Sequence, residues 1–275
     1  MIPYILITRP LNCLFISVAV LTGAFLNNSS TNYVVTIIGM VSAMLVGAGG
    51  YVINDFYDLA IDVINKPKRV LPSGKISPQL AYLYAITLFV LGFSISFFTK
   101  SLLGIALAIS NSIILFLYAK SVKRVLFLNN LTVGYTTASA FLYGAIINDN
   151  LLNIMPLALF TFLYTITREI VKDAEDMIGD KDNKASTLAT VFGVKVAVIV
   201  SFVVAVALGV VLYLCGARGI LQGRLALVLQ LSFAIPLILI YLLLIKEISV
   251  KRLYQASQLI KVHMLALLII FIFVK

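Results

Sequence analysis

Histidine occurs once in this chain, cysteine twice and tryptophan not at all. Cys13 and Cys215 both lie inside apolar runs, so they read as small buried hydrophobes and offer neither a disulfide framework nor a thiolate metal site. His263, the one histidine, has no acid–base partner near it in the sequence and reads as a structural or interfacial residue. Any metal in this protein must therefore be held by oxygen ligands. Acidic residues are scarce too, 11 among 275, and nine of them fall in the stretches 55–62 and 169–182, with only Asp149 and Glu247 elsewhere.

Most of the chain is apolar. Hydrophobic residues make up 61% of it, against about 45–50% in a soluble domain, and the mean hydropathy is +1.08. Several runs reach the roughly 18–20 apolar residues that cross a bilayer. They are continuous, not short and alternating, which excludes a β-barrel. The expected fold is an all-α polytopic membrane protein, one domain over 1–275. Nine spans are predicted, near 11–26, 33–53, 79–98, 101–118, 127–147, 151–171, 195–215, 225–245 and 257–274. The first run lacks a small-residue cleavage site after it and is read as a retained helix. The stretches 27–32 and 148–150 are short and polar, as turns between antiparallel helices are.

Basic residues give the orientation. With the N-terminus in the cytoplasm, 17 of the 21 Lys and Arg face inward, and Lys100, Arg218, Arg224 and Lys275 face outward. The basic excess thus reads as topology, and no nucleic-acid partner is expected. Both acidic stretches then face the cytoplasm. They follow the second and sixth spans, which hints at two related halves.

Their spacing is the chain's most informative feature. Asp55, Asp58 and Asp62 repeat as Asp173, Asp176 and Asp180, each set D-x-x-D-x-x-x-D at the end of an apolar run. On one continuous helix the three side chains of a set fall within roughly 60° of arc. Three bare carboxylates so placed repel one another and lose hydration. A divalent cation removes that cost, and carboxylate oxygens without His or Cys suit Mg²⁺, which bridges readily to phosphates. Cations close by support a phosphate ligand: Lys66, Lys68 and Arg69 after the first set, Lys172 and Lys181 flanking the second, and Lys120, Lys123 and Arg124 after Tyr118. Arg9 and Asn12 open the first span on the same predicted side. The topology signal alone also accounts for each of these cations. Gly47, Gly49 and Gly50 read as packing glycines, Leu71-Pro72-Ser73-Gly74 as a tight turn, and Ser77-Pro78 as a helix cap with proline at the first helical position.

These residues resemble the UbiA-type superfamily of intramembrane prenyltransferases. Asn54-Asp55-x-x-Asp58-x-x-x-Asp62 is similar to its first signature, and Lys172-Asp173-x-x-Asp176-x-x-Gly179-Asp180 to its second. The segment from Ile64 to Gly74 resembles the basic loop after the first signature, and Tyr118 to Arg124 the Tyr/Lys segment between them. Ser186-Thr187-Leu188-Ala189 with Gly193 resembles the close of the second loop. The resemblance implies a nine-helix bundle around a central cavity, with Mg²⁺ held by Asn54, Asp55, Asp58, Asp62, Asp173, Asp176 and Asp180. Of these, Asp58, Asp62, Asp176 and Asp180 are the expected catalytic carboxylates. It implies a prenyl diphosphate bound by Arg9, Asn12, Lys68, Arg69, Tyr118, Lys120, Lys123, Arg124, Lys172 and Lys181. Within the family, the run Lys172 to Asp180 looks most like archaeal ether-lipid enzymes, which transfer geranylgeranyl to geranylgeranylglyceryl phosphate. Prenylation of an aromatic ring in quinone synthesis is the alternative. A CDP-alcohol phosphotransferase requires an Asp-Gly-x-x-Ala-Arg element that is absent after Asp58 and Asp176. A carboxylate-site ion transporter would place its acids near mid-membrane, not at helix ends.

Overall fold

A computed structural model describes residues 1–26, 30–182, 185–217 and 223–273. The expected placements of Asn27 to Ser29, Lys184, Arg218 and Lys275 lie outside the described residues, as do the side chains of Cys215 and Arg224. The helices, in chain order, are α1 (Ile2–Ile7), α2 (Pro10–Phe25), α3 (Tyr33–Tyr57), α4 (Leu59–Asn65), α5 (Pro78–Ser96), α6 (Leu102–Lys120), α7 (Leu128–Ile146), α8 (Leu151–Glu175), α9 (Met177–Asp182), α10 (Leu188–Phe192), α11 (Val194–Ala217), α12 (Gly223–Lys246) and α13 (Val250–Phe273). Each predicted span coincides with one helix of this series.

Six of them are long and apolar enough to cross a membrane: α3, α5, α6, α8, α11 and α13. Shorter apolar helices occur at Pro10–Phe25 and Gln230–Lys246. Asn129, Asn130, Thr132, Thr136, Thr137 and Ser139 make α7 more polar than α6.

The chain divides into two compact units. The first comprises 1–123 and 135–159, the second 124–134 and 160–275. Each carries one acidic set.

In the first unit, α3 is the central element and packs on α2, α5 and α6. Its glycines explain how closely. A Cβ on Gly49 would stand 3.1 Å from the Ala85 carbonyl of α5, one on Gly47 2.3 Å from Ile16 of α2, and one on Gly50 3.0 Å from Leu115 of α6. All three are packing glycines, as their placement in the sequence implies. Ser42 Oγ donates to the Gly92 carbonyl at 2.8 Å and accepts from the Tyr143 hydroxyl at 3.0 Å, so both of these buried hydroxyls are paired. The helix ends away from the acids are tied by asparagines. Asn32 caps α3, accepting from Val34 N and Val35 N. Asn148 accepts from Asn32 N at 2.9 Å, and Asn150 donates to the Gly23 and Leu26 carbonyls. At the acidic end, Gly74 takes the left-handed conformation (φ 71°) that the Leu71–Gly74 turn demands, and Ser77 caps α5 with Pro78 at its first position.

In the second unit, α10 begins with a reciprocal Thr187–Thr190 capping box. Tyr164, Phe160 and Phe233 pack edge to face or tilted on one another, and His263 meets Tyr164 edge to face and stacks on Phe233. Pro236 in α12 has no N–H to give the Ser232 carbonyl, four residues earlier. His263 Nε2 takes up that carbonyl at 2.6 Å, while Nδ1 meets the Tyr164 hydroxyl at 2.5 Å. His263 is thus a structural residue that satisfies a proline-freed carbonyl.

Candidate active site

Neither acidic set lies on one unbroken helix. The first is divided between α3 and α4 at Asp58 (φ −90°, ψ 0°), which closes one helix and opens the next. The second is divided between α8 and α9 at Asp176. The bend falls on the middle carboxylate in both. Helical hydrogen bonding survives it: Asp58 N donates to Asn54 O and Asp62 N to Asp58 O, and likewise Asp176 N to Lys172 O and Asp180 N to Asp176 O. The shared-face expectation is therefore corrected to a kinked helix with its bend at the second aspartate. The bridge-region backbone of Asp58 is a conformation in which many active-site residues sit.

The first set is built with cations in contact. Arg9 Nη2 donates to Asp55 Oδ1 at 2.5 Å. Arg69 Nη1 donates to Asp62 Oδ2 at 2.6 Å and lies 3.5 Å from Asp55 Oδ1. Lys123 Nζ forms an ion pair with Asp58 and reaches Asn54 Oδ1 at 3.5 Å. Asn54 Nδ2 donates to Asp58 Oδ2 at 2.8 Å. Asp55 and Asp62 are buried, at 7% and 4% exposure, so these ion pairs answer charges that water does not. Arg9 has a left-handed backbone (φ 54°) just before Pro10 starts α2. That turn directs its guanidinium over the Tyr51 ring, 5.2 Å from the centroid, and onto Asp55 one helical turn further along α3. Asn12, in the first turn of α2, interacts with Tyr51 of α3.

The second set is built differently. Asp173 Oδ2 accepts from Asn129 Nδ2 at 3.0 Å and Asn130 Nδ2 at 2.9 Å, both in the first turn of α7. Sequence reasoning missed this pair; its one signal was two adjacent amides inside an otherwise apolar run. Arg168 and Glu169 form an ion pair on α8, and Lys172 lies 3.9 Å from Glu169. Glu175 accepts from Ser257 Oγ of α13 at 2.7 Å. Asp176 is exposed. Burial, then the charges of Asp173 and Asp176, push the Asp180 carboxyl up to about 7, with Lys172 partly offsetting them.

Of the expected diphosphate ligands, Arg9, Arg69 and Lys123 are thus brought onto the first set, and Lys172 acts on the second. Lys68, Lys120, Arg124 and Lys181 are exposed and form no ion pair among the described residues. Tyr118 is half-buried near the end of α6, and the Arg124 carbonyl accepts from Ser186 N at 3.0 Å.

Among the described residues, no three His, Cys, Asp or Glu side chains converge as ready-made metal ligands. The first set's oxygens turn to cations, and one oxygen of Asp173 turns to amides. The donor types nevertheless fit Mg²⁺, being all oxygen and mostly anionic. Burial first, then its acidic neighbours, disfavour the charged form of the Asp180 carboxyl, and a divalent cation would favour it.

Comparison with known proteins decides the family. Residues 14–270 match the UbiA prenyltransferase family. The chain belongs to it. Among its relatives, digeranylgeranylglyceryl phosphate synthase of Methanoregula boonei is 39% identical over 234 residues, 83% of each chain. The protein of that name from Sulfolobus acidocaldarius is 33% identical over 82% of this chain and 81% of its own. A solved structure concerning digeranylgeranylglyceryl phosphate synthase superposes with a TM-score of 0.81 at 31% identity, covering 98% of this chain and 96% of that one. A UbiA homologue from Archaeoglobus fulgidus, solved with DMAPP and Mg²⁺, shares the fold with a TM-score of 0.74 at 16% identity, over 96% and 98% of the two chains. This UbiA-family chain is accordingly an all-α membrane-embedded prenyltransferase.

Proposed function

We propose that this prenyltransferase moves a geranylgeranyl group from geranylgeranyl diphosphate to the hydroxyl of geranylgeranylglyceryl phosphate, with Mg²⁺ as cofactor. The observation that carries the reading is extended identity, 39% and 33% over 83% and 82% of the chain, to proteins named for that synthesis, in a chain that keeps both aspartate sets. The cofactor and the prenyl donor are supported by the A. fulgidus homologue structures with DMAPP, GPP and Mg²⁺.

Asn54, Asp55, Asp58 and Asp62 in one set, and Asp173, Asp176 and Asp180 in the other, would hold the metal. When bound, Mg²⁺ stabilises the negative charge that develops on a leaving diphosphate. Arg9, Arg69 and Lys123 bind phosphate oxygens directly, a task suited to groups already poised on the acidic helix end. Asn12, Lys68, Tyr118, Lys120, Arg124, Lys172 and Lys181 complete the substrate-binding set. The allylic C1–O bond breaks with its electron pair on the diphosphate. Apolar helix surfaces exclude water from the allylic cation. The acceptor hydroxyl then attacks C1 and releases its proton. The nine predicted spans cross the cell membrane, with the N-terminus and the acidic helix ends on the cytoplasmic face; the 17-to-4 asymmetry of Lys and Arg supports that orientation.

The test offers purified protein, Mg²⁺ and labelled geranylgeranyl diphosphate to two acceptors in parallel, geranylgeranylglyceryl phosphate and 4-hydroxybenzoate. Label should pass to the lipid and not to the ring. Prenylation of 4-hydroxybenzoate alone would replace the lipid reading with the aromatic one.

A further inference from the structure

The second acidic set contains an arrangement that the first lacks. Asp173 forms no ion pair among the described residues; two neutral amides hold it instead, and both donate to the same oxygen, Oδ2. Asn129 and Asn130 are themselves buried, at 6% and 3% exposure. Their amides have fixed orientations. Asn129 Oδ1 accepts from Asn130 N at 2.7 Å, which turns its NH₂ toward Asp173. The carboxylate repels the other orientation of the Asn130 amide, which leaves Asn130 Oδ1 buried with no hydrogen-bond partner among the described residues. An unpaired buried acceptor is costly and rare in a natural core. Presenting the second N–H to Asp173 outweighs that cost here. The backbone just before α7 is also unusual: Phe127 is left-handed (φ 63°) and not a glycine. Its carbonyl still accepts from Leu131 N at 3.0 Å, so this strained residue sets where the first turn of α7 begins and hence where both asparagines point.

We propose that Asn129 and Asn130 are positioning residues for Asp173. They fix the carboxylate through one oxygen with uncharged donors, so that the other oxygen keeps its orientation for a divalent cation and no side-chain cation competes for it. A lysine or arginine in their place would anchor Asp173 equally well, but would cancel the charge that attracts the metal. The proposal rests on the metal-binding reading of the second set. Outer partners of this kind commonly control metal affinity by about 10–100-fold.

The test is direct binding of Mn²⁺, used as a paramagnetic substitute for Mg²⁺. Free and bound ion are counted by electron paramagnetic resonance on the purified, detergent-solubilised full chain. Asn129→Ala and Asn130→Ala should each weaken Mn²⁺ binding about 10-fold, and the double variant should approach Asp173→Asn. The thermal midpoint in EDTA is read alongside: a merely structural role would lower that midpoint and leave Mn²⁺ affinity unchanged, and this result would overturn the proposal. If the double variant fails to fold, the two single variants decide. Asp173→Asn separates the two levels. If it leaves Mn²⁺ binding intact, the metal-site reading fails and the proposal falls with it. If it abolishes binding while the asparagine variants bind as wild type, only the positioning role is rejected.

Discussion

The two acidic sets share a spacing and a kink at the middle aspartate, yet their surroundings are opposite. In the first, Arg9 and Arg69 answer Asp55 and Asp62, and Lys123 answers Asp58. In the second, Asp173 is met by amides and Asp180 is pushed up to about 7 by burial and by its acidic neighbours. Two unit charges 4 Å apart interact by about 4 kcal/mol at an effective dielectric of 20. A divalent cation approaching the first set must therefore displace or share these partners, whereas Asp173 and Asp180 in the second form no ion pair among the described residues. One spacing thus supports two tasks. On the proposed function, the second set would take the metal by itself, and the first a metal that arrives with a diphosphate whose oxygens take over Arg9, Arg69 and Lys123.

The largest effect should come from removing the middle carboxylates. Asp58→Ala and Asp176→Ala should each lower turnover by at least about 100-fold without loss of the folded, detergent-soluble protein. Turnover near wild type in either variant breaks the claim that both sets serve the reaction. A smaller effect should separate the sets. Arg9→Ala or Lys123→Ala should raise the KM for prenyl diphosphate about 10–100-fold, the value of a charge-assisted hydrogen bond. Neither should weaken Mn²⁺ binding in the absence of diphosphate.

The effect of pH should single out the second set. Asp180 has an ordinary carboxyl value of 3.8 when unfolded and about 7 in the metal-free fold. Its proton is held more tightly in the folded state, so its stabilising contribution is full below the unfolded value and is lost as pH rises through about 7. Mg²⁺ takes the proton's place. The rise in thermal midpoint on adding Mg²⁺ should consequently be larger at about pH 8 than at about pH 5.5, and Asp180→Asn should remove that difference. An Mg²⁺ shift in wild type that does not depend on pH would contradict this account of the second set. The smallest effects belong to Lys68 and Lys181, exposed and free of ion pairs among the described residues. Their alanine variants should change the KM for prenyl diphosphate by less than about 3-fold, the scale of an exposed charge.

Much of this was legible in the sequence because the membrane simplifies the problem. A bilayer demands long apolar helices: each predicted span falls on a helix, and six of those helices are long and apolar enough to cross a membrane. Gly47, Gly49 and Gly50, crowded by α2, α5 and α6, and Ser77-Pro78 at the start of α5, acted as their residue types imply. The acidic spacing identified the family. The kinks at Asp58 and Asp176 were not legible, because neither a proline nor a glycine marks them. Nor was the contact of Arg9 with Asp55, which depends on one left-handed residue between two helices and a separation of 46 positions. Asn129 and Asn130 stayed hidden for a related reason: their partner is 43 or 44 residues away, and two polar residues at the start of an apolar run read as an interruption. Periodicity reports which face is buried, not which side chain a buried amide will meet.

The contrast between the sets is tested most directly by titrating Mn²⁺, without diphosphate, into wild type, Asp58→Ala and Asp176→Ala, with bound ion counted by electron paramagnetic resonance. Asp176→Ala should lose binding, whereas Asp58→Ala should bind almost as wild type. Equal weakening by both substitutions, or loss in Asp58→Ala alone, would contradict the assignment of metal affinity to the second set.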